Sequence, residues 1–131
     1  MKDYMKKFSN IILNFSASCN MMCKYCDFND KDYSHANTNE QIRQAILDGS
    51  YLEKIKETTA EIRDQISGIN LWGLEPSINF DICEDFFKGL LDYFYNVKWL
   101  FYSTNCNLNL ERHKKIFDFF NNYDRKVTLK L

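Results

Sequence analysis

Apolar residues along the chain gather in short runs that alternate with helix-spaced sets. Residues 9–18 (SNIILNFSAS) hold one such run with small residues after it, the pattern of a strand buried on both faces, as in a parallel sheet. Residues 27–40 (DFNDKDYSHANTNE) are so polar and so rich in Asn and Asp that they read as a surface loop. Thr38 with Gln41, and Ser50 with Glu53, have the spacing of a capping box. They predict two consecutive helices, 39–47 and 51–65, broken near Gly49, whose apolar positions (Ile42, Ala45 and Ile46; Leu52, Ile55, Ala60, Ile62 and Ile66) recur at helical intervals. Residues 69–73 (INLWG) form an apolar run long enough only for a strand. Asp81 and Glu84 make a third capping box ahead of the helix-periodic set Phe86, Phe87, Leu90, Leu91 and Phe94. Residues 99–102 (WLFY) read as a third strand with Ser103, Thr104 and Asn105 as its exit loop, and Asn109 caps a helix to about Phe120. Val127, Leu129 and Leu131 then alternate with Thr128 and Lys130 as a fourth strand.

Strand and helix therefore alternate as β-αα-β-α-β-α-β, an α/β fold with a parallel sheet of about four strands and helices packed on it. A complete eight-unit barrel needs roughly 250 residues, whereas the chain has 131. One domain, 1–131, is expected, either the N-terminal portion of a longer barrel or a member of an obligate assembly. A chain that stops within an apolar strand leaves an open edge through which copies could associate.

Composition narrows the class. Apolar residues make up 45% and aromatics 16%, too many for a chain that stays disordered for want of surface to bury. The 17 Lys and Arg nearly cancel the 18 Asp and Glu, so there is no overall electrostatic footprint for nucleic acid or an anionic membrane. No run approaches the ~20 apolar residues that span a bilayer. MKDYMKKFSN at the start lacks the apolar stretch and cleavage site of a signal peptide, and a cytoplasmic protein is expected. Five cysteines, an odd number with no export signal, argue for metal or redox chemistry over a disulfide framework.

Cys19, Cys23 and Cys26 lie in CNMMCKYC, directly after the first predicted strand, where loops at the C-terminal ends of parallel strands build active sites. Two or three intervening residues span only about 10 Å, so the three thiolates can converge on one centre. Soft thiolates favour zinc or an iron-sulfur cluster. A structural zinc site takes four protein ligands and would need His35, Cys83 or Cys106 as well. A 4Fe-4S cluster held by three cysteines leaves one iron open to an external ligand, where an electron-transfer cluster uses four.

CxxxCxxC with an aromatic residue before the last cysteine, here Tyr25, resembles the signature of the radical S-adenosylmethionine (radical SAM) superfamily. The resemblance implies a partial (β/α) TIM-like barrel, of which this chain would be the N-terminal part. It also implies that Cys19, Cys23 and Cys26 ligate a 4Fe-4S cluster, that the free iron is chelated by the amino and carboxylate groups of SAM, and that Tyr25 neighbours the adenine. WGLEP, Trp72 to Pro76, is similar to the family's GGEP segment, which contacts the SAM amino group: Gly73, Glu75 and Pro76 fit, and Leu74 replaces the second glycine. Ser103, Thr104 and Asn105 stand where many members carry a Thr-Asn-Gly turn, with Cys106 at the glycine position, which adds Ser103 to the expected SAM environment. The implied activity is reductive cleavage of SAM to methionine and a 5′-deoxyadenosyl radical that abstracts a substrate hydrogen, with a reductant such as flavodoxin or ferredoxin as partner. CNMMCKYC is closer to peptide- and protein-modifying maturases than to the small glycyl-radical activases, which makes a peptide the expected substrate class.

Other readings stand beside this one. A truncated barrel could hold iron-sulfur or zinc without turning SAM over, or the thiols could carry no metal and the domain act only through its sheet edge. Cys83 shares helical spacing with Phe86, Phe87 and Leu90 and is expected in the core, and Cys106 is expected to be a small buried residue. His113, among Glu111, Arg112, Lys114 and Lys115, is expected on a solvated helix face with no role.

Overall fold

The computed structural model describes residues 10–16, 36–73, 75–104 and 110–130. Cys19, Cys23, Tyr25, Cys26, His35, Leu74, Asn105, Cys106 and Asn109 lie outside the described residues. Four strands, β1 (Asn10–Ser16), β2 (Gly68–Gly73), β3 (Trp99–Tyr102) and β4 (Thr128–Lys130), form one parallel sheet in the order β1-β2-β3-β4. Between them run α1 (Ala36–Asp48) and α2 (Ser50–Thr59), then α3 (Glu84–Tyr93), then α4 (Leu110–Asn122), with 3-10 turns at Arg63–Gln65 and Pro76–Ile82. The α/β alternation and the parallel sheet expected from the hydrophobic pattern are both present. No helix among the described residues is long and apolar enough to cross a membrane.

Register explains which residues make the core. Partners across a parallel sheet point to the same face, so Ile11, Ile69, Leu100 and Leu129 form one row and Leu13, Leu71 and Tyr102 another. Together with Phe15 these rows meet Ile46 of α1, Ile55 of α2, Phe86, Phe87, Leu90 and Leu91 of α3, and Ile116 and Phe120 of α4 in one continuous cluster. Phe15 and Phe87 stack with ring centroids 5.7 Å apart, fixing β1 on α3. Cys83 is fully buried there, its thiol directed at the Phe80 carbonyl, and burial pushes that thiol well above its ordinary pKa.

The expectation that β1 is buried on both faces is corrected. Ile12 is 65% exposed and Trp72 60% exposed, and they share the opposite face with Asn14, Asn70, Phe101 and Lys130. Among the described residues every helix that joins the core does so from the other side.

Helix ends differ from the capping boxes. Helix α1 begins at Ala36, so Thr38 is already helical, and the last residues of the expected polar loop belong to α1. Gly49 is left-handed (φ 83°) between α1 and α2, a conformation glycine adopts freely, and the Ser50 N–H donates to Asp48 Oδ1. Hydrogen bonding from Ser50, its side chain first and its backbone N–H second, holds the exposed Asp48 carboxyl below its ordinary value. Helix α2 stops at Thr59 rather than near Gln65, where Thr58 and Thr59 turn their hydroxyls back onto the carbonyls of Lys54 and Ile55. Cys83, not Asp81, stands at the N-cap of α3 and makes no side-chain cap bond among the described residues, while the Asp81 carboxylate, within the preceding 3-10 turn, is engaged by Arg43.

Candidate functional site at the C-terminal edge of the sheet

The C-terminal ends of β1, β2 and β3 lie side by side, and the chemistry-bearing segments of the sequence leave from them. Gly73 ends β2 opposite Ser16, the last residue of β1. Its φ is +139°, and a Cβ there would stand 2.2 Å from the Ser16 carbonyl oxygen and 2.8 Å from the Ser16 nitrogen. Only glycine permits both that backbone conformation and that approach. The β1–β2 pairing shifts register at this point: Asn14 pairs with Trp72 and Ser16 with Gly73, leaving Phe15 without a partner strand residue.

Glu75 turns inward. It is 1% exposed, and its Oε2 accepts from Ser77 N (3.1 Å), Ser77 Oγ (2.5 Å) and Thr104 Oγ1 (2.9 Å). The first two bonds cap the turn that Pro76 opens. The third crosses from the loop after β2 to the loop after β3. Of the residues expected around SAM, Gly73 and Glu75 are thus joined to the exits of β1 and β3, while Ser103 is exposed beside Thr104. Tyr25 and the three cysteines lie outside the described residues, as does Leu74.

Sequence reasoning missed the residues that hold this edge together. Asn79 is fully buried; its Nδ2 donates to the Phe15 carbonyl and to Asn39 Oδ1, both at 2.9 Å. Its Oδ1 accepts from Asn39 Nδ2 (3.3 Å) and Arg43 Nη1 (3.2 Å). The Tyr51 hydroxyl donates to the Asn14 carbonyl at 2.7 Å, and burial pushes its pKa up to about 12. Arg112 of α4 donates to the Ile78 carbonyl at 2.8 Å. None of these side chains belongs to a spaced motif, so only the fold brings them together.

His113 is corrected from a solvated to a buried residue, 6% exposed. Its Nδ1 lies 3.0 Å from the Tyr102 hydroxyl, Phe80 meets its ring edge-on, and Nε2 has no hydrogen-bond partner among the described residues. The charged neighbours hid the signal. His113, Ile116 and Phe120 fall on one face at i, i+3 and i+7, and all three are buried.

Arg43 Nη1 and Nη2 donate to Asp81 Oδ1 and Oδ2 at 2.9 and 3.1 Å, a two-pronged pair. The hydrogen bond from the guanidinium holds the Asp81 carboxyl below its ordinary value, against a smaller opposing effect of burial. A carboxyl whose pKa is depressed in the folded chain contributes stability above its unfolded pKa of about 3.9, and that contribution is lost as pH falls through the folded value. Thermal midpoints are therefore expected to fall on acidification below about pH 4, and to fall less in Asp81→Asn over the same interval. Parallel acid profiles for the two proteins would show that the pair carries no such linkage.

Among the described residues no three His, Cys, Asp or Glu side chains converge as a metal site. In comparison with known proteins, the chain matches no family model, no curated protein and no solved structure.

Proposed function

We propose that this chain is the N-terminal part of a radical SAM enzyme, a partial (β/α) barrel in which Cys19, Cys23 and Cys26 ligate a 4Fe-4S cluster. What supports this reading is that the end of β1, whose sequence continues to the cysteines, meets the Gly73 turn, and that Glu75 meets Thr104 at the same sheet edge. Gly73 packs on Ser16, three residues before Cys19, and Glu75 accepts a hydrogen bond from Thr104.

The donor set fits the group: three thiolates suit iron-sulfur ligation and leave one iron for SAM. When bound and reduced, the cluster supplies the electron that cleaves SAM to methionine and a 5′-deoxyadenosyl radical. The protein's own part is positional. Glu75 spends its Oε2 on Ser77 and Thr104, so it sets the path of the backbone from Gly73 to Pro76, whose carbonyls are acceptors suited to an ammonium group. Tyr25 is assigned to the adenine and Ser103 to the same environment. The open sheet face, with Asn14, Asn70, Trp72 and Phe101, gives a substrate a surface of mixed polarity, with a peptide as the proposed class and flavodoxin or ferredoxin as reductant.

Leu74 favours a second reading, a module that binds a cluster without turning SAM over, because a side chain stands where the family's glycine lets the backbone approach its ligand.

Both readings need the cysteines. After anaerobic reconstitution the wild-type chain is expected to hold about four irons and four sulfides. Cys23→Ala is expected to lose most of both with its circular dichroism spectrum intact, since the substitution removes a proposed cluster ligand. Full iron and sulfide in the variant would sink the assignment.

A further inference from the structure

We propose that Arg63 anchors a binding site for a small carboxylate at the N-terminal end of the sheet, the end opposite the Gly73 turn. The 3-10 turn Arg63–Gln65 lies between α2 and β2, while Tyr93 and Tyr95 stand at the end of α3 and just beyond it, before β3. The two segments meet where β2 and β3 begin, and there Lys98 N donates to the Ser67 carbonyl at 2.8 Å. Arg63 is half-buried; its Nε donates to the Tyr93 carbonyl at 2.7 Å, and its guanidinium carbon lies 4.5 Å from the Tyr93 ring centroid and 5.1 Å from that of Tyr95. Tyr93 is held in turn, its hydroxyl donating to the Lys56 carbonyl at 3.0 Å. The turn itself is pinned by Gln65 N on the Ile62 carbonyl (2.9 Å) and by Asn96 Nδ2 on the Asp64 carbonyl (2.7 Å). A guanidinium fixed in this way gives up little further freedom on binding, and its planar fork matches the two oxygens of a carboxylate.

The terminal nitrogens set Arg63 apart from the other three arginines. Arg43 gives Nη1 and Nη2 to Asp81, Arg112 gives Nη1 to the Ile78 carbonyl, and Arg125 spends both on the carbonyls of Leu91, Phe94 and Val97. Among the described residues Arg63 uses Nε alone. Capping the end of α3 accounts for that one bond and leaves the Nη pair for another acceptor. The neighbouring carbonyls of Leu91 and Phe94 do not compete for the pair, because Arg125 already holds them. Arg63 lines a polar depression of about 380 Å³ together with Ala60, Asp64 and Tyr95, within the size range of small-ligand sites. Asp64 makes no ion pair with Arg63 among the described residues. Its negative charge beside the guanidinium selects a singly charged carboxylate over a doubly charged phosphate, since repulsion grows with the ligand's charge.

The test uses the full chain and needs no cluster, so its outcome is separate from that of the proposed function. Nitrogen-15 NMR follows the Arg63 Nε–H and the backbone amides of Arg63, Asp64 and Tyr95 while sodium acetate replaces sodium chloride at constant ionic strength and pH 7. Saturable shifts at these positions are expected, with a Kd on the order of 10 mM. The amide shifts are expected to vanish in Arg63→Gln, and the affinity to fall about tenfold in Arg63→Lys, which keeps the charge and loses the fork. Should Arg63→Gln fail to fold, Tyr95→Ser removes a ring that is 49% exposed, and is expected to weaken acetate binding severalfold by freeing the guanidinium. Shifts that grow linearly without saturating, or that persist in the folded Arg63→Gln protein, would overturn the site, as would wild-type affinity in Tyr95→Ser where that variant replaces it. Sodium phosphate titrated in the same way is expected to bind more weakly than acetate; tighter binding of phosphate would overturn the carboxylate assignment.

Discussion

Replacing Gly73 by alanine is expected to lower the thermal midpoint by roughly 10 °C. Two costs combine. A φ of +139° is one that an L-residue rarely adopts, at about 1–3 kcal/mol. The added Cβ would also sit 2.2 Å from the Ser16 carbonyl oxygen, backbone that a side-chain rotation cannot move, and overpacking of this kind costs about 1–3 kcal/mol more. Either β1 or β2 must shift at its C-terminal end. Under the proposed function, because Ser16 precedes the cysteine segment, the same substitution is also expected to reduce cluster loading even where the protein remains folded. A midpoint within 2 °C of wild type, on the order of measurement scatter for a change of half a kcal/mol, would show that the close approach of the two strand ends does not constrain the fold.

Removing the Glu75 carboxyl group is expected to rank second. Its Oε2 takes three donors in a site with 1% exposure, and hydrogen bonds to a charged group contribute about 1.5–3 kcal/mol each. Glu75→Ala leaves the Ser77 and Thr104 hydroxyls and the Ser77 N–H with a buried partner missing, and a loss of about 3 kcal/mol in unfolding free energy is expected. Urea unfolding of Glu75→Gln, Thr104→Val and the double variant isolates the bond between the loops. A coupling of about 1–2 kcal/mol is expected; strict additivity would show that the loops after β2 and β3 are held independently. Under the proposed function, Glu75→Ala is also expected to keep its iron while weakening the response to SAM.

The alternation of elements was readable because its apolar runs are of two kinds: INLWG and WLFY are too short for helices, and the Phe86 to Leu91 set has a helical period. What the pattern could not show was how many faces of the sheet are covered. Ile12, Trp72 and Phe101 are apolar and lie on the face that the described helices leave open, so they imitate the sequence of a doubly buried strand. Capping boxes failed for a physical reason visible at each site: the helix had started by the residue expected to cap it, as at Thr38 in α1 and Ser50 in α2, or the polar residue stands before the N-cap position and is held elsewhere, as Asp81 is by Arg43.

At the candidate site, local chemistry was legible and long-range chemistry was not. Gly73 stands out in a short motif, and the need for glycine there is now explained by Ser16. The short motif pointed to Glu75 but not to its Oε2 contacts with Ser77 and Thr104, the latter 29 residues away. Asn79 sits 64 residues from Phe15 and 40 from Asn39, separations at which no spacing rule operates. His113 was misjudged because its immediate neighbours are charged, although its i+3 and i+7 partners are core residues.

Under the proposed function, Cys19, Cys23 and Cys26 hold a 4Fe-4S cluster whose open iron is chelated by SAM. An EPR spectrum of the anaerobically reconstituted, dithionite-reduced protein, recorded with and without SAM, tests it most directly. A reduced 4Fe-4S signal whose g-values shift when SAM is added is the expected result; a cluster signal indifferent to SAM, or no cluster signal at all, would contradict the claim.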